Sequence, residues 1–179
     1  MKSFADFQAY QGAVDAVAQG YIDFAFARYE PANYRSPFWR AFRHLLSRAK
    51  SDGSGDVLWT NLFRCSIDGG SVIYGCQPAE VEAILTFQGG LLRQEIRLLQ
   101  PTTVLFFTGP LYDAALQSEF PGAEFVPLGD YLPRQLARIV APDLPRATFR
   151  TYHPGYLARS RERWGWLDEI PIAREGEIA

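Results

Sequence analysis

The chain is poor in the residues on which metal sites and disulfide frameworks depend. Its 179 residues include two histidines, His44 and His153, and two cysteines, Cys65 and Cys76. None of these is paired at a close zinc spacing, and two cysteines are too few for a cysteine-held iron–sulfur cluster or a disulfide framework. We therefore expect no metal, no other cofactor and a reduced, cytoplasmic setting.

Several sequence features that define other protein classes are also missing. No apolar run reaches about eighteen residues, and the first residues lack the apolar core and cleavage site of a secretory signal, so we expect no membrane association. The chain has no P-loop, no G-x-G-x-x-G fingerprint and no G-x-S-x-G elbow. Apolar residues make up 47% of it, which excludes a disordered class and favours one domain over residues 1–179.

Charge is unevenly distributed along the chain. The net charge is −2, but the segment from Arg134 to Arg163 contains seven arginines and two acids. That segment is therefore +5, and the remainder is −7. The overall charge argues against a general polyanion binder, whereas a locally basic face can meet phosphates. A solvated arginine-rich surface is the alternative explanation.

Helical and strand patterns alternate along the sequence. Apolar spacing predicts a helix over about residues 4–28, and Ser36 followed by Pro37 predicts the start of a second. Further helices are predicted from Pro78 to about Gly89, over 91–100 and over 110–120. The predicted strands are DVLWTNLF, TTVLFFTG, AEFVPL, QLARIVA and RATFRTYH, the last two joined by the turn PDLP. Residues 168–179 form a polar tail.

This alternation predicts an α/β domain with three layers, α/β/α, around a mostly parallel central sheet of about four strands. Ligands of such sheets bind beyond the carboxyl ends of the strands. Three strand ends then become candidates for one cleft: Asn61, Gly109 and His153.

Each candidate side chain has a structural and a functional interpretation. Asn61 either bonds to neighbouring backbone or makes a paired hydrogen-bond contact with the edge of a base. His153 is either a structural histidine or a donor to a developing oxyanion. Gly109 opens a helix where backbone N–H groups can meet an oxygen, or it is an ordinary turn. Phe38 and Trp39 are core aromatics or a stacking platform for a base.

Taken in order, WTNLF, VLFFTG and YHPGYL resemble the uracil-DNA glycosylase superfamily between Ser36 and Leu157. The resemblance implies that Phe38 or Trp39 stacks on an extruded base and that Asn61 and Gly109 lie in the base pocket. It implies that His153 stabilises the uracil anion as the leaving base departs. It also implies DNA contacts, with Tyr156 and Leu157 entering the gap in the duplex and arginines contacting phosphates, namely Arg159, Arg161 and Arg163.

Two features depart from the family's pattern. The serine that normally follows His-Pro is replaced by Gly155. No glycine-rich, acid-containing loop precedes the Pro-Phe segment, so the water-activating acid is not found. Asp23 and Glu30 are nearby acids, but nothing identifies either as a replacement. We therefore expect a sheet that lacks the first strand of the family's fold, in a branch that lost this loop or in a chain that starts late.

The resemblance implies a monomeric base-excision enzyme that hydrolyses the N-glycosidic bond of uracil, or of another deaminated or modified base, in single- or double-stranded DNA. The alternative is an inactive or truncated member of the family that binds nucleic acid or nucleobases.

Overall fold

The computed structural model describes residues 35–51, 57–64 and 71–172. The predicted helix over residues 4–28 lies outside this range, as do Asp23 and Glu30. In chain order the elements are α1 (Pro37–Ser51), α2 (Val72–Gly75), α3 (Pro78–Gln88), α4 (Leu91–Leu99), β1 (Thr103–Phe106), a 3₁₀ turn (Pro110–Tyr112), α5 (Asp113–Glu119), β2 (Glu124–Pro127), β3 (Leu136–Val140), β4 (Ala147–Thr151), α6 (Pro154–Leu157) and α7 (Arg161–Gly165). Within these ranges, no helix has the length and apolar character needed to cross a membrane.

Polar residues define where the longer helices begin. The Ser36 hydroxyl accepts a hydrogen bond from the backbone N–H of Trp39, which confirms the predicted start of α1. At α3 the Glu80 carboxylate accepts from the backbone N–H of Gln77 at 2.7 Å and completes a capping box. At α4 the buried Glu119 carboxylate accepts from the backbone N–H groups of Gly90 and Arg93. Glu119 thereby ties the end of α5 to the start of α4.

The described residues contain one open four-stranded sheet in the order β1-β4-β3-β2. Strands β1 and β4 are parallel, whereas the β4–β3 and β3–β2 pairs are antiparallel. The prediction of a mostly parallel sheet is therefore wrong for these residues. The links 128–135 and 141–146 are too short for the dozen or more residues that a parallel crossover needs. The predicted PDLP turn was the sequence signal for this antiparallel pairing.

The segment DVLWTNLF is not a strand in its described part, residues 57–64. Its apolar side chains pack on helices instead. Trp59 lies edge-on to Phe38 of α1, with ring centroids 5.6 Å apart, and Leu62 packs against the core that α4 and α5 share. The apolar side chains of this segment are therefore used for packing, and its backbone does not pair with a strand. A sequence pattern cannot distinguish such a segment from a buried strand.

Alternate strand residues face two separate hydrophobic cores. The first core contains Phe149 of β4 with residues of α1, α6 and the end of the described chain. The second contains Phe106 of β1 with residues of α4 and α5. Helices therefore cover both faces of the sheet, and the α/β class is confirmed. Ile170 is fully buried in the first core, so the predicted polar tail does not begin at residue 168.

A buried arginine links the central strand to its surroundings. Arg150 of β4 is 1% exposed, and its guanidinium donates to the Asp113 carboxylate at 3.0 Å and to the Arg134 carbonyl at 3.1 Å. Its Cζ lies 5.3 Å from the centroid of the Phe125 ring. Desolvation raises the pKa of Asp113 above its ordinary value, against the opposing effect of the Arg150 charge. The pair therefore holds α5, β2 and the loop before β3 against β4.

We predict that Arg150→Met destabilises the fold by about 3–5 kcal/mol, because Asp113 then loses its cationic partner in a desolvated position. Urea denaturation at neutral pH measures the change. Arg138→Met on the exposed side of β3 is the matched control, and its effect should stay within about 0.5 kcal/mol. Equal effects of the two substitutions would contradict the structural role of the pair.

Candidate site at the carboxyl ends of β1 and β4

The parallel strands β1 and β4 end side by side. The backbone N–H of Gly109 donates to the Thr151 carbonyl at 2.9 Å, so it is engaged within the protein. Gly109 has φ of +67°, and a Cβ there would lie 3.1 Å from Cδ1 of Tyr152. Gly109 is therefore needed for a close approach between the two strand ends, and its own N–H is not available to a ligand. This corrects the expectation that it donates to a bound oxygen.

His153 follows β4 and caps the short helix α6. Its Nδ1 accepts a hydrogen bond of 3.1 Å from the backbone N–H of Gly155. A nitrogen that accepts carries no proton, so the neutral ring has its proton on Nε2. Partial burial of the ring lowers the pKa of His153 below its ordinary value of 6.5, although the residue as a whole remains exposed. His153 is therefore a neutral imidazole with an N–H donor on Nε2.

Gly155 is the residue that lets the His153 ring approach the backbone. A Cβ at position 155 would lie 3.2 Å from Nδ1 and 3.7 Å from Cε1 of His153. That distance is tighter than ordinary contact, so a larger residue would require the ring to shift by a few tenths of an ångström. The departure from the His-Pro-Ser pattern thus has a local physical reason in this chain.

Aromatic rings and arginines form a layered group beside His153. The rings of Tyr152 and Tyr156 stack with centroids 4.3 Å apart and an interplanar angle of 27°. The guanidinium carbons of Arg163 and Arg159 lie 4.6 and 5.4 Å from the centroid of the Tyr156 ring. We call these four residues the Tyr–Arg stack. Planar cations over aromatic faces are well placed to pair with phosphates or to stack on bases. Arg161 is exposed at the start of α7.

Leu157, the residue that follows Tyr156, is buried. Its exposed fraction is 0%, and it belongs to the first core together with Ala41 of α1. Tyr156 is half-buried at the margin of that core, whereas Leu157 lies wholly within it. The structure therefore corrects the expectation that Leu157 enters a gap in a duplex.

The predicted stacking aromatics are packed against each other. Trp39 is buried, Phe38 is half-buried, and their rings meet edge to face at 5.3 Å. Both rings also meet the Trp59 ring, at 5.6 and 6.2 Å. In this arrangement they are core aromatics rather than an open platform for a base.

Asn61 is exposed on the irregular segment 57–64 rather than at a strand end. Two residues before it, Trp59 packs on α1. Two residues after it, the Phe63 ring lies 6.1 Å from that of Tyr112, which follows the Gly109 turn. The segment therefore runs from α1 towards Tyr112, and the expectation that Asn61 lies at a strand end is wrong.

Sequence reasoning missed the polar groups beneath this edge. Asp113, which is half-buried, pairs with the buried Arg150, and Thr108 has a buried hydroxyl next to Gly109 in the chain. The signal that was present is a charged residue, Arg150, between Phe149 and Thr151 in a strand with helices on both faces. A charge at such a position needs a partner within the fold. Among the described residues, no cluster of three or more histidines, cysteines or acids is arranged to hold a metal ion.

We predict that His153 titrates below pH 6.5, which a proton NMR titration of the two histidines measures, with His44→Asn assigning the signals. Because the folded-state pKa is lowered, the stabilisation that the neutral ring contributes is present above pH 6.5 and is lost as the pH falls through the folded-state value.

Two substitutions separate the cap from the titration. His153→Ala removes the cap and should cost about 0.5–2 kcal/mol at neutral pH, whereas His153→Asn retains a capping oxygen and should cost less. Neither variant should show the acid-dependent loss of stability that the His153 ring causes in the wild type. A His153 midpoint above pH 6.5 would contradict the capped neutral ring.

Comparisons with known proteins assign no function to the carboxyl ends of β1 and β4. No protein-family model matches the chain, and neither a curated protein nor a solved structure matches it. The resemblance to uracil-DNA glycosylases therefore depends on the quoted sequence motifs alone.

Proposed function

We propose that this chain is a uracil-DNA glycosylase-like protein that binds an extruded base at the carboxyl ends of β1 and β4 and hydrolyses its N-glycosidic bond. The observation that carries the proposal is the hydrogen bond that orients the His153 ring. Its Nδ1 accepts from the Gly155 N–H at 3.1 Å, so Nε2 is the donor. A neutral donor beside a leaving base stabilises the negative charge that develops on the carbonyl oxygen of that base.

The surroundings of His153 support this role electrostatically. A lowered pKa keeps the ring neutral at physiological pH. A neutral imidazole donates a hydrogen bond from Nε2 and keeps its proton. An imidazolium cation is acidic enough to pass its proton to the departing base. The capping contact also fixes the orientation of the imidazole before a ligand arrives, so little reorganisation is needed during the reaction.

The Tyr–Arg stack supports nucleic acid as the partner. Arg159 and Arg163 contact the Tyr156 ring, which directly follows the capping turn. Guanidinium groups held at these positions can pair with phosphates on either side of an extruded nucleotide and set the position of the DNA. Tyr156, which is half-buried, would then face the strand from which the base has left.

A second candidate function is binding without hydrolysis. It is favoured by the state of Asp113, the carboxylate close to this strand edge. Asp113 pairs with Arg150 at 3.0 Å, and a carboxylate engaged in this way is poorly placed to activate water. A chain that keeps a base-binding histidine without a free acid would recognise a nucleobase or a nucleic acid strand and release it unchanged.

The first prediction from the proposal concerns catalysis. Purified full-length protein should convert uracil-containing single- or double-stranded oligonucleotides to abasic product, detected by alkaline cleavage and gel electrophoresis. His153→Asn should lower the single-turnover rate by about 10²–10³-fold, because the variant loses the donor to the departing base.

The other histidine provides the matched control. His44 bonds to Asp168 at 2.8 Å, and His44→Asn should leave the rate within about twofold, since a surface pair contributes little to the fold. If no abasic product forms from uracil or from a panel of deaminated and alkylated bases, the hydrolytic proposal fails and only the binding function remains.

The second prediction concerns the phosphate contacts and applies to both candidate functions. Arg163→Ala should weaken binding to a single-stranded oligonucleotide and reduce the slope of log K against log salt by about 0.7 for each lost phosphate contact. Fluorescence anisotropy over a series of salt concentrations measures both quantities.

Arg97→Ala is the control for this measurement, because Arg97 is an exposed arginine of α4 whose partner is Asp143. It should leave the salt slope unchanged. If the two variants bind alike, or if the wild type binds neither DNA nor RNA at low salt, the Tyr–Arg stack is not a nucleic-acid contact.

A further inference from the structure

The helices α3 and α4 present an apolar surface to solvent. None of the eleven residues of α3 is buried, although its sequence is largely apolar. Phe87 at the end of α3 is 85% exposed, and Leu98 of α4 is 84% exposed. Leu91 and Leu98 lie seven residues apart and therefore on one face of α4, with Gln94 between them. A helix pair with large apolar side chains facing water is a docking surface that requires an occupant.

A cavity of about 380 Å³ lies where these helices meet. Arg64, Phe87 and Leu91 contribute to its lining, together with Gln88, Gly89 and Gln94. Its wall is held in place by hydrogen bonds. The Gln88 amide nitrogen donates to the Leu62 carbonyl at 2.8 Å, and its oxygen accepts from the Arg64 backbone N–H at 3.1 Å. The Gln88 side chain therefore ties the end of α3 to the segment 57–64 beside this cavity.

We propose that the segment 4–28 of this same chain docks as an amphipathic helix on the α3–α4 surface and inserts a side chain into this cavity. The segment lies outside the described residues, and its sequence provides the complementary face. Five apolar residues recur at helical spacing on one side of it: Phe7, Val14, Val17, Tyr21 and Phe24. A helix of this length spans about 37 Å, enough to cross both α3 and α4.

The connection between this segment and α1 is long enough to reach the surface. Trp59 contacts Phe38 at the start of α1, and five residues later Arg64 lines the cavity. Five extended residues span at most about 17 Å, so the start of α1 lies within a comparable distance of the cavity. The linker over residues 29–35 spans up to about 24 Å, which covers that separation.

The tether also favours this occupant over a second copy of the chain. A segment joined by a short linker acts at an effective concentration in the millimolar range. A second copy must instead bind from free solution and bear the full loss of translational freedom. The α3–α4 surface is therefore covered from within the chain, on the opposite face of the sheet from the helices α1 and α6.

Photo-crosslinking in the full-length protein tests this docking directly. With p-benzoylphenylalanine in place of the exposed Phe87, irradiation should join position 87 to a peptide from residues 1–34 within a monomer, identified by mass spectrometry. The same probe in place of Val140, an exposed residue of β3, should not give that product. A dimer-sized product, a link to another segment or no link from position 87 would each overturn the proposal.

Hydrogen exchange on full-length variants provides an independent readout. The double substitution Val17→Asp and Tyr21→Asp should speed amide exchange in α4 roughly tenfold by removing its cover, while β4 stays protected. Gln19→Asp places a single aspartate on the other side of the predicted helix and should leave α4 unchanged. Equal effects of the two variants, or an equal loss of protection in β4, would contradict docking at this surface. Neither readout depends on whether the chain hydrolyses DNA.

Discussion

The fold depends on the ion pair that the buried guanidinium of Arg150 makes with Asp113. Arg150 lies in β4, which has β1 on one side and β3 on the other. The exposed fraction of Arg150 is 1%, so its charge is buried. Leaving such a charge unpaired in the interior is strongly destabilising, so the positions of Asp113 and of the Arg134 carbonyl are constrained. These contacts fix α5 and the loop before β3 relative to the central strand.

The candidate site is built on those two strand ends. Gly109 permits the close approach to Tyr152, and Tyr152 in turn supports the Tyr156 ring. His153 is held between them and α6 by the Gly155 N–H. The imidazole tautomer, the aromatic stack and the arginines over it are therefore consequences of one short loop that leaves the sheet at a defined point. Rigidity beneath the loop gives the neutral donor a constant direction.

Several elements follow from local sequence because the physics that forms them is local. The cap at Ser36, the capping box at Gln77 and the strand TTVLFFTG are specified by hydrogen bonds and periodicity within a few residues. Others needed contacts across the chain. The segment DVLWTNLF has the composition of a buried strand, yet its rings pack on α1 and its backbone pairs with no strand within the described part of the chain. Periodicity cannot distinguish those two uses of apolar side chains.

The sequence by itself determined the α/β class, the starts of α1, α3 and α4, the four strands that pair and the strand-end location of His153, since each depends on spacing and capping along a short stretch. The tertiary structure decided the antiparallel pairings of β3, the burial of Leu157 and the tautomer of His153. These depend on which surfaces meet: α6 buries Leu157 completely and leaves Tyr156 half-buried at the margin of the same core. The YHPGYL motif was visible from the start, but only packing showed that its histidine caps a helix and that its leucine belongs to the core.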